Sequence, residues 1–187
     1  MKNFITTSPI DIYLILFLSV ILLTAAFIDV RTYRIPNLLT YPAMLIALIY
    51  HTLTGGVNGL TFSSLGLVVG IVVFSIPFLM GIMGAGDAKL MGAVGAVLGS
   101  RGVLNACLFT AVAGGIFAFI LLLAHYRDFR FVNRTVETIQ ASLATKCLMR
   151  IPAVENKEKP KLYYGIAIAS GTIYTMWWVV SYNRFPL

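Results

Sequence analysis

The sequence predicts an all-α, polytopic membrane protein of about six transmembrane helices, with a short fourth helix and a cytoplasmic loop carrying an amphipathic helix. Two observations carry that prediction. Of 187 residues, 59% are hydrophobic and only 11% charged, at a mean hydropathy of +0.89, where soluble domains hold about 25% charged residues. Apolar runs of membrane-spanning length also recur along the chain, too long and too many for one aqueous core. The whole of residues 1–187 reads as a single membrane domain. The formal charge of +7 fits lysines and arginines gathered on one membrane face, so no nucleic acid partner is implied. Cys107 in an apolar run and Cys147 in a polar loop suggest neither a disulfide framework nor a zinc site.

The first helix is predicted over Ile10 to Ile28, a nearly uninterrupted apolar run behind Lys2. A cleavable signal peptide cut near Ala25-Ala26 is the competing reading, and the run is longer than the usual apolar region of one. Pro36 forbids helix continuation and drives Ile35 to an extended conformation, so the helix is expected to end around Arg34. A second helix is expected over Leu38 to Thr54, a turn over Gly55 to Gly59, and a third helix over Phe62 to Met83. The fourth, Ala88 to Gly99, is short: the 14 residues from Asp87 to Ser100 make roughly 21 Å of helix against a hydrocarbon core of about 30 Å. Asp87 is therefore expected below the membrane surface, where non-helical backbone needs protein or a watery cavity around it. Ala88, Gly92 and Ala96, with Gly95 and Gly99, form a small-residue stripe suited to close helix contact.

Gly102 to Ala124 is expected as the fifth helix and Leu162 to Tyr182 as the sixth, with Trp177, Trp178 and Tyr182 as interfacial anchors. Between them, Phe129, Val132, Val136, Ile139, Leu143 and Leu148 recur at mostly helical spacing among basic residues, which predicts an amphipathic helix lying on the membrane. Six helices put the loops after helices 1, 3 and 5 on one face. That face carries eleven lysines and arginines and the other three, so it is predicted to be cytoplasmic.

The same parity puts Asp29 and Asp87, 58 residues apart, at the cytoplasmic ends of helices 1 and 4. Charge within a span is costly, roughly 2.5 to 3.5 kcal/mol at mid-bilayer, so such a residue normally has a task. Two carboxyls on one membrane edge suit aspartic protease chemistry, in which one activates a water and the other, protonated, polarises the scissile carbonyl. By itself Gly84-Ala85-Gly86-Asp87 is a weak signal, since a tight turn with an ordinary acid would look the same. Intramembrane acids also serve ion and proton transport, which makes a small transporter or proton channel the first rival, and a non-catalytic secretion subunit is the second. His51 and His125 fall on opposite membrane sides, Ser63, Ser64 and Ser75 have no base beside them in any motif, and no metal or cofactor is expected. Lys89 reads equally as a partner for Asp87 or an acidic substrate group and as a lysine reaching to the interface. Tyr33 and Asn37 are weaker candidates to line the site, and Arg31 and Arg34 are read as setting topology.

Taken together, these stretches resemble the type IV prepilin peptidases, membrane aspartic proteases of the Gly-x-Gly-Asp type. Asp29 followed by Arg34-Ile35-Pro36-Asn37 is similar to the family's first-aspartate motif. Gly84-Ala85-Gly86-Asp87-Ala88-Lys89-Leu90 resembles its second, Gly-x-Gly-Asp-x-Lys-Leu, and Tyr164-Gly165-Ile166-Ala167-Ile168-Ala169 resembles the Pro-Tyr-Gly-x-Ala-x-Ala stretch opening the last helix, with Tyr163 in place of proline. The resemblance spans about residues 10 to 180. It implies Asp29 and Asp87 as the catalytic dyad, with Gly84, Gly86, Lys89, Pro36, Asn37 and Gly165 supporting them. It implies a prokaryotic cytoplasmic-membrane enzyme whose partners are prepilins or pseudopilins and the lipid bilayer. Larger members add a methyltransferase region with a paired Cys-x-x-Cys zinc site. With no Cys-x-x-Cys pair here, a peptidase-only form is expected, like those serving Flp or Tad pili and compact archaeal relatives.

Overall fold

A computed structural model describes residues 9–124 and 164–182. The predicted amphipathic helix of the long loop lies outside the described residues. Four helices order the rest: α1, Pro9–Thr32; α2, Asn37–Leu79; α3, Ala85–Ala124; and α4, Tyr164–Tyr182. No strand occurs among the described residues. Helices within α1, α2 and α3 (Ile12–Thr32, Asn37–Leu79 and Ala85–Ile120) are long and apolar enough to cross a membrane. The all-helical class and the membrane character follow.

Helix boundaries differ from the sequence reading in an informative way. The expected second and third helices form one continuous α2 of 43 residues, about 64 Å if straight, or twice a hydrocarbon core. It is not straight. Gly56 has φ 56° and ψ −137°, a conformation open essentially to glycine alone. Gly59 then lies directly against the backbone carbonyl of His51, although eight residues of straight helix would separate them by about 12 Å. So the chain doubles back at Gly56, and the rest of the expected turn stays helical. In α3 the break is Gly99, at φ 72° and ψ −178°. Elsewhere the differences are small: α1 closes at Thr32 rather than around Arg34, and α3 begins at Ala85 rather than Ala88.

Contacts fix the direction of each limb. Asn37, Met44 and His51 of the first α2 limb meet Lys89, Gly92 and Val97 in that order, so it runs parallel to the start of α3. Ser63, Gly66 and Gly70 of the second limb meet Ala96, Gly95 and Met91, the reverse order. In the second limb of α3, Thr110 faces Gly171 and Gly114 faces Ala167, so that limb is antiparallel to α4.

The small-residue stripe has the use its spacing suggests. A Cβ on Gly95 would run into the Gly66 carbonyl, and one on Gly70 would stand 2.9 Å from the Met91 carbonyl carbon. Backbone packs on backbone there, and α2 with α3 forms the most extensive contact in the structure. Residues 90–97 are buried on every side, which makes the expected short fourth helix the centre of the bundle. Leu18 and Leu22 of α1 and Ile168 of α4 complete the core around it. Leu16, Val20, Leu23, Leu65 and Val72 point outward, the apolar exterior that lipid requires.

Candidate active site

Asp29 sits in the last turn of α1, and the way that helix ends places it. Tyr33 takes a left-handed conformation, φ 53°, and its N–H donates to the Asp29 carbonyl at 2.8 Å. Pro36, at φ −70° and ψ 138°, then opens α2. The Asp29 side chain turns inward, and the residue is only 7% exposed. Its Oδ2 accepts the Gly165 N–H at 2.9 Å, an amide at the start of the described part of α4. Gly165 must be a glycine for this approach, because a Cβ there would lie 2.9 Å from both Cβ and Oδ2 of Asp29.

Asp87 is held by its own helix. Gly84 precedes α3, its carbonyl accepts the Asp87 N–H at 3.1 Å, and its N–H donates back to Asp87 Oδ2 at 3.0 Å. This is the carboxylate half of a capping box, and it aims the side chain back across the helix start. Gly86 has a different reason to be glycine. A Cβ there would come within 3.0 Å of Ile35 Cβ and 3.2 Å of the Ile35 carbonyl, so the first-aspartate segment lies directly on the second. Asp87 is likewise 7% exposed.

The fold brings these acids to one end of the bundle. Asp29 and Asp87 lie within electrostatic range of each other, and Tyr164 lies within range of Asp87. Each carboxyl uses Oδ2 to hold a backbone amide, Asp87 that of Gly84 before α3 and Asp29 that of Gly165 in α4. The geometry therefore offers two fixed carboxyls, each with an oxygen that no hydrogen bond among the described residues engages. Two carboxyls within electrostatic range of each other titrate as a coupled pair.

Lys89, read equally as a partner for Asp87 or a substrate group and as an interfacial lysine, contacts the first limb of α2. Its Nζ donates to Asn37 Oδ1 at 2.8 Å and lies 4.9 Å from the centre of the Tyr41 ring. Pro36, Asn37, Gly84, Gly86 and Gly165 all gather at the acid end, whereas His51 sits at the other, its Nε2 3.1 Å from the Val97 carbonyl. Ser63 donates to the Ala96 carbonyl and Ser75 to that of Ile71. Among the described residues no three His, Cys, Asp or Glu side chains are grouped to hold a metal. Sequence reasoning passed over three residues at this end: Ile35 as the surface beneath Gly86, Tyr41 beneath Lys89, and Tyr164 within electrostatic range of Asp87. Tyr41 was findable, since it stands four residues after Asn37 on the same helix face. A cavity of ≈ 280 Å³ between α3 and α4, bounded by Phe117, Ile120, Ile166 and Ala167, begins one residue beyond Gly165, and the described residues that line it include no ionisable group.

No curated protein and no solved structure matches the chain significantly. The profile of the type IV leader peptidase family matches residues 16–119, more than half of the chain and inclusive of both acids. With the two motifs folded against each other and the profile covering both, the chain belongs to the type IV leader peptidase family.

Proposed function

We propose that the protein is a membrane-embedded aspartic endopeptidase that removes the leader peptide of type IV prepilins or pseudopilins, with Asp29 and Asp87 as its catalytic pair. The observation that carries this reading is the placement of two buried aspartates at one end of the bundle, each fastened through one carboxyl oxygen to a backbone amide. In the reaction, the ionised member takes a proton from a water held between the pair, and the oxygen adds to the scissile carbonyl as the other member protonates the carbonyl oxygen. Collapse of the tetrahedral diol breaks the C–N bond. The proton taken from water passes to the departing amine, and the pair returns to sharing one proton. Activity then follows a bell-shaped pH profile whose two limbs belong to the pair rather than to either residue.

In this reading the breaks at Gly56 and Gly99 are membrane reversals, the chain crosses six times, and both acids face the cytoplasm of a prokaryotic inner membrane. The eleven-to-three distribution of lysine and arginine supports that orientation. The substrate is a short basic leader joined to a hydrophobic helix. The test is cleavage of a co-expressed prepilin by wild type, Asp29→Asn and Asp87→Asn, followed by gel shift and the mass of the new N-terminus. Cleavage by wild type alone supports the dyad. Mutants that still cut would remove it, and changed proton flux in vesicles with no cleavage would favour transport.

A further inference from the structure

We infer that Lys89 and Asn37 form a latch that fastens the segment leaving α1 onto the start of α3, and that this latch sets the spacing of Asp29 and Asp87. Lys89 is then a positioning residue that acts through Asn37. The catalytic consequence rests on the peptidase reading, while the latch itself rests on contacts alone.

Only residues 33–36 join α1 to α2, so any hold on residues 35 to 37 is also a hold on the last turn of α1, where Asp29 sits. Two residues of α3 provide that hold, and they flank Asp87. Gly86, immediately before it, packs closely on Ile35, so that a Cβ there would stand 3.0 Å from Ile35 Cβ and 3.2 Å from the Ile35 carbonyl oxygen. Lys89, two residues after it, donates to Asn37 Oδ1 at 2.8 Å. Lysine is flexible and strongly hydrated, and a single exposed hydrogen bond would hold it poorly. Here the ammonium also stands 4.9 Å from the centre of the Tyr41 ring, one turn beyond Asn37, so a polar and an aromatic contact on one helix fix it together. Pro36 between Ile35 and Asn37 removes a donor and locks φ, leaving the clamped segment few alternatives. The three contacts turn two motifs that are distant in sequence into one rigid body around the two acids.

The full chain is compared in lipid nanodiscs as wild type, Lys89→Met, Asn37→Ala, the double variant and Lys89→Arg. The first readout is hydrogen exchange at the amides of Tyr33 and Leu39, which donate to the carbonyls of Asp29 and Pro36. A latch predicts exchange roughly tenfold faster in either single variant, no faster in the double, and near wild type in Lys89→Arg, whose guanidinium can keep both contacts. The second readout is prepilin cleavage: kcat falls about 10- to 100-fold in the single variants with KM held, the double is no worse, and Lys89→Arg recovers most of the rate. Unchanged exchange in Lys89→Met overturns the latch. A raised KM with kcat intact assigns Lys89 to substrate contact instead, and additive losses mean that Lys89 and Asn37 act separately. If wild type cuts no prepilin the peptidase reading fails, and the exchange data alone decide the latch.

Discussion

Because Asp87 Oδ2 accepts the Gly84 N–H across the first turn of α3, an asparagine at position 87 can keep that hydrogen bond through its own carbonyl oxygen. The same holds for Asp29 and the Gly165 N–H. The Asn variants therefore separate structure from chemistry: each is expected to unfold near the wild-type midpoint while cleavage drops by on the order of 10²- to 10⁴-fold. The double Asn variant should lose no more than either single one, as groups acting as a unit do. Asp87→Ala, in contrast, also removes the cap and should cost about 1 kcal/mol of stability. Thermal unfolding in micelles beside a cleavage assay reads both quantities, and wild-type cleavage by either Asn variant would falsify the assignment. Gly165 supplies an independent check. A methyl there meets Asp29 Cβ and Oδ2 at 2.9 Å, whereas among the described residues a methyl on Gly114 meets only Ala167 Cβ at 3.8 Å and one on Gly115 meets nothing within 4 Å. Gly165→Ala should displace Asp29 and cut activity at least about tenfold, with Gly114→Ala and Gly115→Ala as near-neutral controls. Equal effects at the three glycines would mean that the Asp29 contact does not matter to catalysis.

Between α2 and α3, packing and hydrogen bonding both hold the helices together, and their magnitudes differ. Ser63 Oγ donates to the Ala96 carbonyl at 2.7 Å in a fully buried setting. Such interhelical bonds average only about 0.6 kcal/mol in membrane proteins, because the unfolded chain in lipid finds other partners. A side chain at Gly95, however, must displace the Gly66 backbone itself, which cannot rotate away. Overpacking costs typically 1–3 kcal/mol and more against immovable atoms. Gly95→Val should consequently destabilise at least about twice as much as Ser63→Ala, while Leu65→Ala, on the lipid-facing side, should change little. Reversible unfolding in mixed micelles measures all three, and a larger loss from Ser63→Ala would show that hydrogen bonding dominates this seam. The stripe was legible in the sequence because spacing by four residues keeps small side chains on one helix face. Its partner was not: Gly66 and Gly70 belong to another element, and pairing across elements depends on register, which periodicity within one helix does not encode.

For the molecule as a whole, what could be read in advance was what local chemistry determines. Composition and run length required helices in a membrane, Pro36 required α1 to stop, and motif spacing picked out both acids. Three-dimensional consequences were hidden: that Asp29 holds an amide 136 residues away, that Lys89 turns to Asn37, and that the chain doubles back at Gly56 and kinks at Gly99, single glycines inside long helical stretches. The fold-back at Gly56 also makes the topology testable. In the register of α2 against α3, Leu38 lies near Lys89 at the acid end, and Val57, just beyond the Gly56 break, lies past His51 at the opposite end. Both are strongly exposed, at 86% and 77%. If Gly56 is a membrane reversal and the acid end is cytoplasmic, the two positions face opposite compartments. In a chain with Cys107 and Cys147 replaced by serine, an impermeant maleimide added to intact cells should label Val57→Cys and spare Leu38→Cys until the membrane is opened. Labelling of both from outside would mean that α2 does not carry the chain across and back, and six crossings would fall with it. The opposite sidedness would keep the six crossings and put Asp29 and Asp87 outside the cell. A leader cut before export could not then reach them, and the proposed substrate would have to be abandoned even with the dyad intact.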